Sequence, residues 1–273
     1  MNTRNKTLSA LAGHDGSPLI SNEKLHAIYA AMLKCRMLTG QNRKLGAGRE
    51  ASIVGTILAL CPHDSVSPAA GELTPYLVKG VPLRTILARL NSESDVLPAR
   101  DTVRRVIAPG ADFTAQMISA LRVARLNRKA KNSSAVAIFC ECAQIARGAG
   151  LQFLRSAAAE RLPVLFVCHA KASKKAFAPK AQDYGLPGFA VDGEDAVAVY
   201  RVASEATAHA RRGNGPTLIE CRPWPAGGQK KTGTGNALRN METYLSRKGL
   251  FSAKLKADLT AQFRRDLDKA APR

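Results

Sequence analysis

The stretch Leu162-Pro-Val-Leu-Phe-Val-Cys168 decides the fold of this chain. It is a short, continuous apolar run with β-branched residues, which is typical of a strand that is buried on both faces of a sheet. Two further runs have the same character, Ala135-Val-Ala-Ile-Phe-Cys140 and Pro216-Thr-Leu-Ile-Glu-Cys221. Helical patterns separate these runs, from about Ala149 to Arg161 and from Glu194 to Arg212. The alternation predicts a doubly wound α/β fold, with a mostly parallel sheet and helices on both of its faces.

The first half of the chain carries further helical patterns. Apolar residues recur at helical spacing from Ser21 to Leu38, after a Ser/Asn cap. We expect a mostly buried helix from Ala51 to Leu60 and another from Val81 to Leu90, where a proline favours helix initiation. Residues 1–18 are polar and are expected to form a flexible arm, and residues 19–273 to form one α/β domain that ends in a helical tail.

The composition restricts the classes of partner. Lys and Arg total 41 against 21 Asp and Glu, so the formal charge of +20 attracts acidic proteins and polyanions. Aromatic residues make up only 5% and the basic residues are scattered, so we do not expect nucleic acid to be the partner. No apolar run approaches the roughly 20 residues that cross a bilayer, and no leader pattern is seen. We therefore expect a soluble cytoplasmic protein that does not enter a membrane.

Ligands of doubly wound sheets bind beyond the carboxyl ends of the strands. Four residues that can bind soft metals lie at or just after the ends of two predicted strands, Cys140, Cys142, Cys168 and His169, and Cys221 at the end of the third could join them. One interpretation is that the cysteines are small apolar core residues, since free cysteine is among the most buried residue types. The other is a zinc or redox site in which these side chains converge, although Cys-x-Cys lacks the usual Cys-x2-Cys spacing.

Several stretches resemble a known family when they are taken in order. They are Gly48-Arg-Glu-Ala51, Lys79-Gly-Val-Pro-Leu83, Arg161-Leu-Pro-Val-Leu-Phe-Val167 and Gly215-Pro-Thr-Leu-Ile-Glu220. Together they resemble the alpha subunit of the thiamine-diphosphate-dependent dehydrogenase (decarboxylase) component of pyruvate and branched-chain 2-oxo acid dehydrogenase complexes, in which the first stretch reads Gly-Gln-Glu-Ala. The likeness extends over roughly residues 19–270 and implies the thiamine-diphosphate-binding fold.

The resemblance also implies a cofactor site. The family holds the diphosphate and a magnesium ion with a Gly-Asp-Gly turn and an Asn-Asn pair, whose positions here are Cys140-Glu141-Cys142 and Ala170-Lys171. Glu141 keeps a carboxylate that could ligate the metal, but both glycines have gained side chains. The ammonium of Lys171 cannot ligate magnesium. Lys171 could instead place its charge where the metal's charge would lie, or it could be a solvated loop lysine.

Other family motifs are lost as well. The family's Tyr-Arg-Asp-His-Gly-His segment corresponds to Ala70-Gly71-Glu72-Leu73-Thr74-Pro75, so phosphate-binding and imidazole groups are missing. The family's Tyr-Arg and His-Ser loop is replaced after Arg222, and no histidine follows it. The Ser-Met-His segment is absent too. We therefore expect that thiamine diphosphate and magnesium, the cofactors that the resemblance implies, are not bound in the usual way.

These observations leave several functions open. The first is a non-catalytic, structural or regulatory alpha-like subunit, which would form a homodimer and an α2β2 assembly with a beta-like subunit. The second is an active oxidative decarboxylase, in which Glu141 and other residues still hold the cofactor. The third is a metal or redox module at the strand ends. The segments from Ala51 to Leu60 and from Arg147 to Ala159 resemble family helices near subunit contacts, and we expect their surfaces to remain adhesive.

Overall fold

A computed structural model describes residues 20–40, 48–91, 100–101, 105–108, 110–171, 175–223 and 236–271. The predicted arm of residues 1–18 lies outside the described residues. The strands are β1 Ser65–Ser67, β2 Arg100–Asp101, β3 Val106–Ile107, β4 Val136–Glu141, β5 Val164–His169, β6 Gly188–Asp192 and β7 Thr217–Arg222. They form one seven-stranded sheet in the order β2-β3-β1-β4-β5-β7-β6. Every pairing is parallel except that of the edge strand β2 with β3.

The α-helices of the described residues are α1 Asn22–Thr39, α2 Glu50–Ala59, α3 Thr74–Val78, α4 Leu83–Asn91, α5 Phe113–Lys129, α6 Cys142–Ile145, α7 Ala149–Ala159, α8 Ala196–Arg211, α9 Asn236–Arg247 and α10 Ala253–Ala270. A 3₁₀ helix spans Ala178–Tyr184. Several starts are fixed by side-chain caps, because Ser21, Asp112 and Asp195 each accept a hydrogen bond from a first-turn amide. None of the described helices combines the length and apolar character needed to span a membrane.

Successive residues of the central strands bury their side chains on opposite faces of the sheet. On one face, Phe139 and Val167 belong to a core that includes Ile53 of α2 and Val199 of α8. On the other face, neighbouring strand residues pack against Met117 and the rest of α5, and against α7. Helices thus cover both faces, which confirms the predicted doubly wound α/β fold.

A further layer of helices lies outside α2 and α8. Here Tyr29 of α1 is fully buried, donates a hydrogen bond to Glu242 of α9 (3.1 Å) and meets Phe251 edge to face. The predicted helical tail is therefore two helices, α9 and α10, that are packed on α1. This layer explains why the helix predicted from Ser21 to Leu38, found as Asn22–Thr39, is strongly apolar on its packed side.

The expectation of an adhesive surface on the Ala51–Leu60 helix needs correction. In the structure every residue from Glu50 to Ile57 is buried within this one chain. The helix packs so closely on α8 that a Cβ added at Gly55 would lie 2.8 Å from the carbonyl oxygen of Ala196. Its apolar side chains contribute to the internal core and are not available to a second copy.

Candidate functional site

The candidate site lies at the carboxyl edge of the sheet, between β1 and β4. The strand order reverses at β1, since β3 pairs on one side of it and β4 on the other, and ligands of doubly wound sheets bind at such points. A cavity of about 260 Å³ opens here. It is lined by Ala69, Ala70 and Glu72 after β1, by Glu141 at the end of β4 and by Gln144 of α6.

Arg49 reaches into this site from the residue before α2. One guanidinium nitrogen donates to Oε1 of Glu72 at 2.8 Å, and the other donates to Oε1 of Glu141. Glu72 is 4% exposed, whereas the Glu141 side chain is 35% exposed. The guanidinium therefore links the loop after β1 to the end of β4 and forms an ion pair with the carboxylate of Glu141.

Arg49, Glu72 and Glu141 form a charged triad. In it, burial and neighbouring charges have opposite effects on the pKa values of Arg49 and Glu72. Burial alone would lower the pKa of Arg49, but the carboxylates of Glu72 and Glu141 raise it overall, so the guanidinium stays charged. Burial raises the pKa of Glu72 despite the neighbouring guanidinium. Its second oxygen, Oε2, has no hydrogen-bond partner among the described residues. Glu72 is thus a buried carboxylate that is only half satisfied.

Gln116 of α5 forms the floor between the two strand ends. Its amide nitrogen donates to the carbonyl oxygens of Ser67 (3.3 Å), Pro68 (2.8 Å) and Phe139 (2.9 Å). The amide is 5% exposed and lines the cavity. Because the nitrogen is committed to three carbonyl groups, the group that remains for a ligand is the amide oxygen, which is an acceptor.

His169 ends β5 beside the site but is enclosed by protein. Its Nε2 lies 2.8 Å from the Ser52 hydroxyl, which donates to the Arg49 carbonyl, and its ring stacks on Phe139. Burial, and to a smaller extent the charge of Arg49, lowers the pKa of His169 to about 3. The imidazole is therefore neutral at physiological pH, and its Nδ1 has no partner among the described residues.

The strand-end cysteines are all buried. Cys142, the first residue of α6, forms a disulfide with Cys168 of β5, with Cα atoms 4.9 Å apart. Cys140 and Cys221 are free, and burial raises the pKa of both thiols, that of Cys221 to about 12. Among the described residues, no group of three or more His, Cys, Asp or Glu side chains is arranged to hold a metal ion. Cys140 and Cys221 thus lie in the core as free thiols, whereas Cys142 and Cys168 are joined to each other, and the zinc interpretation stays a prediction.

Lys171 lies just beyond β5, where its side chain is exposed. It takes part in no hydrogen bond or ion pair within the described part of the chain, in agreement with a solvated lysine. On the opposite side of the site, Ala70 is exposed and Leu73 and Thr74 are buried. The loop after β1 therefore offers a ligand no cationic side chain of its own.

A sequence profile described as "Dehydrogenase E1 component" matches residues 33–267, which is most of the chain. The chain belongs to the dehydrogenase E1 component family. The subunit alpha of 3-methyl-2-oxobutanoate dehydrogenase from Mycobacterium tuberculosis is 27% identical over 298 residues, covering 92% of this chain and 81% of the relative. The pyruvate dehydrogenase E1 component subunit alpha of Staphylococcus aureus (strain Mu50 / ATCC 700699) is 27% identical over 235 residues, which cover 77% of this chain and 62% of the relative.

The 2-oxoisovalerate dehydrogenase subunit alpha of Bacillus subtilis is 28% identical over 194 residues, which cover 63% of this chain and 59% of the relative. The chain thus spans about three fifths of two of these relatives. All are named as alpha subunits, which confirms the resemblance drawn from the sequence motifs. E1 family members typically bind thiamine diphosphate with magnesium.

The residues of this site do not fit that pair of ligands. A diphosphate needs cations and backbone amides close by, and magnesium needs several hard oxygen ligands. The cavity carries one cationic side chain, Arg49, to meet a diphosphate, and its three carboxylates, those of Glu72, Asp112 and Glu141, are not arranged to hold a metal ion among the described residues. The lining has a formal charge of −2 and repels a polyphosphate. The carboxylate of Glu141, the one retained candidate for the metal, is engaged by the guanidinium of Arg49.

Glu141 was predicted from the sequence, whereas the residues that define its surroundings were not: Arg49, Glu72 as its partner, and Gln116. A signal for Arg49 was present, because it replaces the neutral glutamine in the E1 family's Gly-Gln-Glu-Ala motif. A new cation at a site that also keeps two carboxylates suggests an internal ion pair. The pairing itself was not predictable, since Arg49 and Glu141 are separated by 92 positions.

Proposed function

We propose that this chain is a non-catalytic alpha-like subunit of a 2-oxo acid dehydrogenase type complex, with a structural or regulatory role. The observation that carries the proposal is the guanidinium of Arg49, which links Glu72 to Glu141 where an E1 alpha subunit would place magnesium. A metal ion at Glu141 would have to displace this cation from the carboxylate that it engages, and would bring a second positive charge close to Arg49, which Glu72 still holds.

The proposal includes assembly. By analogy with the alpha subunits that it resembles, the chain is proposed to form a homodimer and to pair with a beta-like subunit in an α2β2 complex. The formal charge of +20 would speed its encounter with an acidic partner. Residues 19–273 are proposed to act as one unit in that assembly.

Calorimetry tests the catalytic side of the proposal directly. The chain is titrated with thiamine diphosphate in the presence of magnesium, alone and together with a candidate beta subunit. We expect no saturable binding at micromolar concentration in either case. Saturable binding, followed by decarboxylation of pyruvate or a branched 2-oxo acid, would establish the alternative function of an active oxidative decarboxylase.

The disulfide between Cys142 and Cys168 favours a second candidate, a redox-responsive subunit. Oxidation of the two thiols would release two electrons and two protons to glutathione disulfide, which would become two glutathione molecules. The covalent link would fix the start of α6, directly after Glu141, to β5. In a reducing cytoplasm, the location expected from the sequence, the dithiol form would be favoured.

Alkylation and mass spectrometry across a series of glutathione ratios test this candidate. The Cys142–Cys168 pair should change between the dithiol and the disulfide within the series, while Cys61 remains alkylatable throughout. The matched controls are the Cys142→Ser and Cys61→Ser variants, of which only the first should abolish the change. A pair that keeps one state across the whole series would rule the candidate out.

A further inference from the structure

The cavity between β1 and β4 differs in charge from the rest of the molecule. The whole chain carries a formal charge of +20, whereas the cavity lining carries Arg49 against three carboxylates. Arg49 is already bound to Glu72 and Glu141, so its guanidinium is not free to meet a ligand. An anion attracted to the surface would therefore find little to hold it inside the cavity.

The hydrogen-bonding groups of the cavity also favour a ligand that is not an anion. The Gln116 amide is nine-tenths buried, and its nitrogen is consumed by backbone carbonyls, which leaves its oxygen as an acceptor. Glu141 is bonded to Arg49 through Oε1, and its side chain also accepts from the backbone amide of Gln144, so as a carboxylate it can only accept further hydrogen bonds. The cavity thus offers mainly acceptors, and a ligand that donates hydrogen bonds complements it.

Glu72 supplies an energetic reason for a cation in this place. Its side chain is 4% exposed, and its Oε2 has no partner among the described residues. A buried carboxylate with an unmade hydrogen bond is costly, and a nearby positive charge reduces that cost. Phe113, Ala69 and Ala70 supply the apolar part of the lining.

We infer that the cavity binds a small organic monocation, a primary ammonium group that carries a short apolar substituent. The ammonium lies among the acceptors of Glu72, Glu141 and Gln116, and the apolar part packs against Phe113. The cavity of about 260 Å³ limits the ligand to a small molecule. A metal ion is a poorer occupant, because the described residues contain no arranged set of three metal-ligating side chains. The inference rests on the proposed loss of diphosphate binding at this same site.

Three ligands of similar shape and different charge test the inference. The chain is titrated calorimetrically at about pH 7.5 with benzylamine, benzyl alcohol and benzoate, which are cationic, neutral and anionic under these conditions. We expect saturable binding of benzylamine with a Kd of about 1 mM or tighter, and at least about tenfold weaker binding of the other two. Equal binding of benzoate or benzyl alcohol, or no binding of benzylamine, would overturn the inference.

Variants locate the binding within the cavity. Glu72→Gln keeps the shape but removes the charge, and should weaken benzylamine binding by about tenfold or more. Ala70→Trp places a large ring at the exposed edge of the cavity and should abolish binding without disturbing the buried triad. The control is Glu160→Gln, which removes an exposed carboxylate outside the cavity and should leave binding unchanged. Unchanged binding in Ala70→Trp would overturn the assignment even if Glu72→Gln failed to fold.

Inorganic pyrophosphate with magnesium separates this inference from the proposed function. If pyrophosphate binds and benzylamine does not, both proposals fail. If neither binds, the cavity assignment fails while the loss of the cofactor site stands. Binding of benzylamine together with no binding of pyrophosphate is the expected result.

Discussion

At the scale of single residues, Arg49 determines the character of the site. Its guanidinium satisfies two carboxylates, one of them almost fully buried, in a loop where the E1 family's motif carries a neutral amide. These contacts stabilise the fold, because they join the segment before α2 to the loop after β1 and to the end of β4. Their removal should affect folding stability more than that of any surface ion pair would.

Arg49→Gln restores the family residue and should destabilise the chain by about 2 to 4 kcal/mol, because Glu72 is left as an uncompensated buried charge. The double variant Arg49→Gln, Glu72→Gln should recover part of this loss, since the second change removes the orphaned charge. Urea unfolding at neutral pH measures both effects. A double variant that is no more stable than Arg49→Gln would contradict the assignment.

His169 makes the stability depend on pH. Its pKa falls from the ordinary value of 6.5 to about 3 in the folded chain, so the native state excludes a proton that the unfolded chain binds. Its stabilising contribution is complete above pH 6.5 and is lost as the pH falls towards 3. Within that window the loss is about 1.4 kcal/mol per pH unit.

The variant His169→Phe isolates this contribution, because it keeps a planar ring against Phe139 and removes the titrating group. Urea unfolding at about pH 7, 6, 5 and 4 should show a steeper loss for the wild type than for the variant. Both proteins share their carboxylates, so only the difference between the two slopes is diagnostic. Parallel slopes would mean that His169 already titrates normally in the folded chain.

At the scale of secondary-structure elements, long apolar segments were predictable and short ones were not. The continuous apolar runs identified β4, β5 and β7, since each is buried along nearly its whole length. The strands β1 and β3 have three and two residues, and gain their stability from neighbours and not from their own apolar content. Helix α5 was also missed, because its buried face includes the polar Gln116 and Asn127 while the apolar Ile118 and Leu126 are exposed.

Gly55 shows how one element determines the position of another. It lies in α2, one turn after the stretch Gly48 to Ala51 by which the chain resembles the E1 alpha subunits, and the structure explains it through close packing of α2 on α8. Alanine normally stabilises a helix relative to glycine by about 0.5 to 1 kcal/mol. Here the added Cβ would lie 3.0 Å from the side chain of Val199 and 2.8 Å from the oxygen of Ala196.

We therefore expect Gly55→Ala to lower the free energy of unfolding, by about 1 to 3 kcal/mol. Gly55→Val should cost more, because its branched side chain meets the same backbone oxygen. Thermal and urea unfolding of both variants give the comparison. A stabilised Gly55→Ala variant would show that α2 and α8 can separate without cost.

The ends of β4 and β5 carry the positions that the sequence resemblance assigns to the family's metal site, and reversing their substitutions provides another test. The variant Cys140→Gly, Glu141→Asp, Cys142→Gly, Lys171→Asn should still bind no thiamine diphosphate and show no turnover with a beta subunit. Arg49 remains in the site, and the loop from Ala70 to Leu73 still lacks cationic and imidazole groups. Measurable decarboxylation by this variant would show that the strand ends alone control the cofactor.

At the scale of the whole molecule, charge and packing have opposite effects on self-association. A formal charge of +20 on each copy produces mutual repulsion in dilute salt, whereas an interface inherited from an α2β2 assembly would be large and apolar. The burial of α2 removes one surface that the sequence suggested for this contact. Any homodimer must therefore use other faces, and repulsion between basic surfaces should weaken it at low ionic strength.

We expect light scattering to report about twice the 29.1 kDa chain mass at low micromolar concentration in about 0.15 M salt, where charges are screened beyond roughly 8 Å. Reducing the salt to about 0.01 M extends the screening length to roughly 30 Å and should shift the population towards monomer. An assembly held together by nonspecific contacts with acidic contaminants would respond in the opposite direction, because added salt weakens attraction between opposite charges. A chain that remains monomeric at every salt and protein concentration would remove the homodimer from the proposed assembly and leave the beta-like subunit as its principal partner.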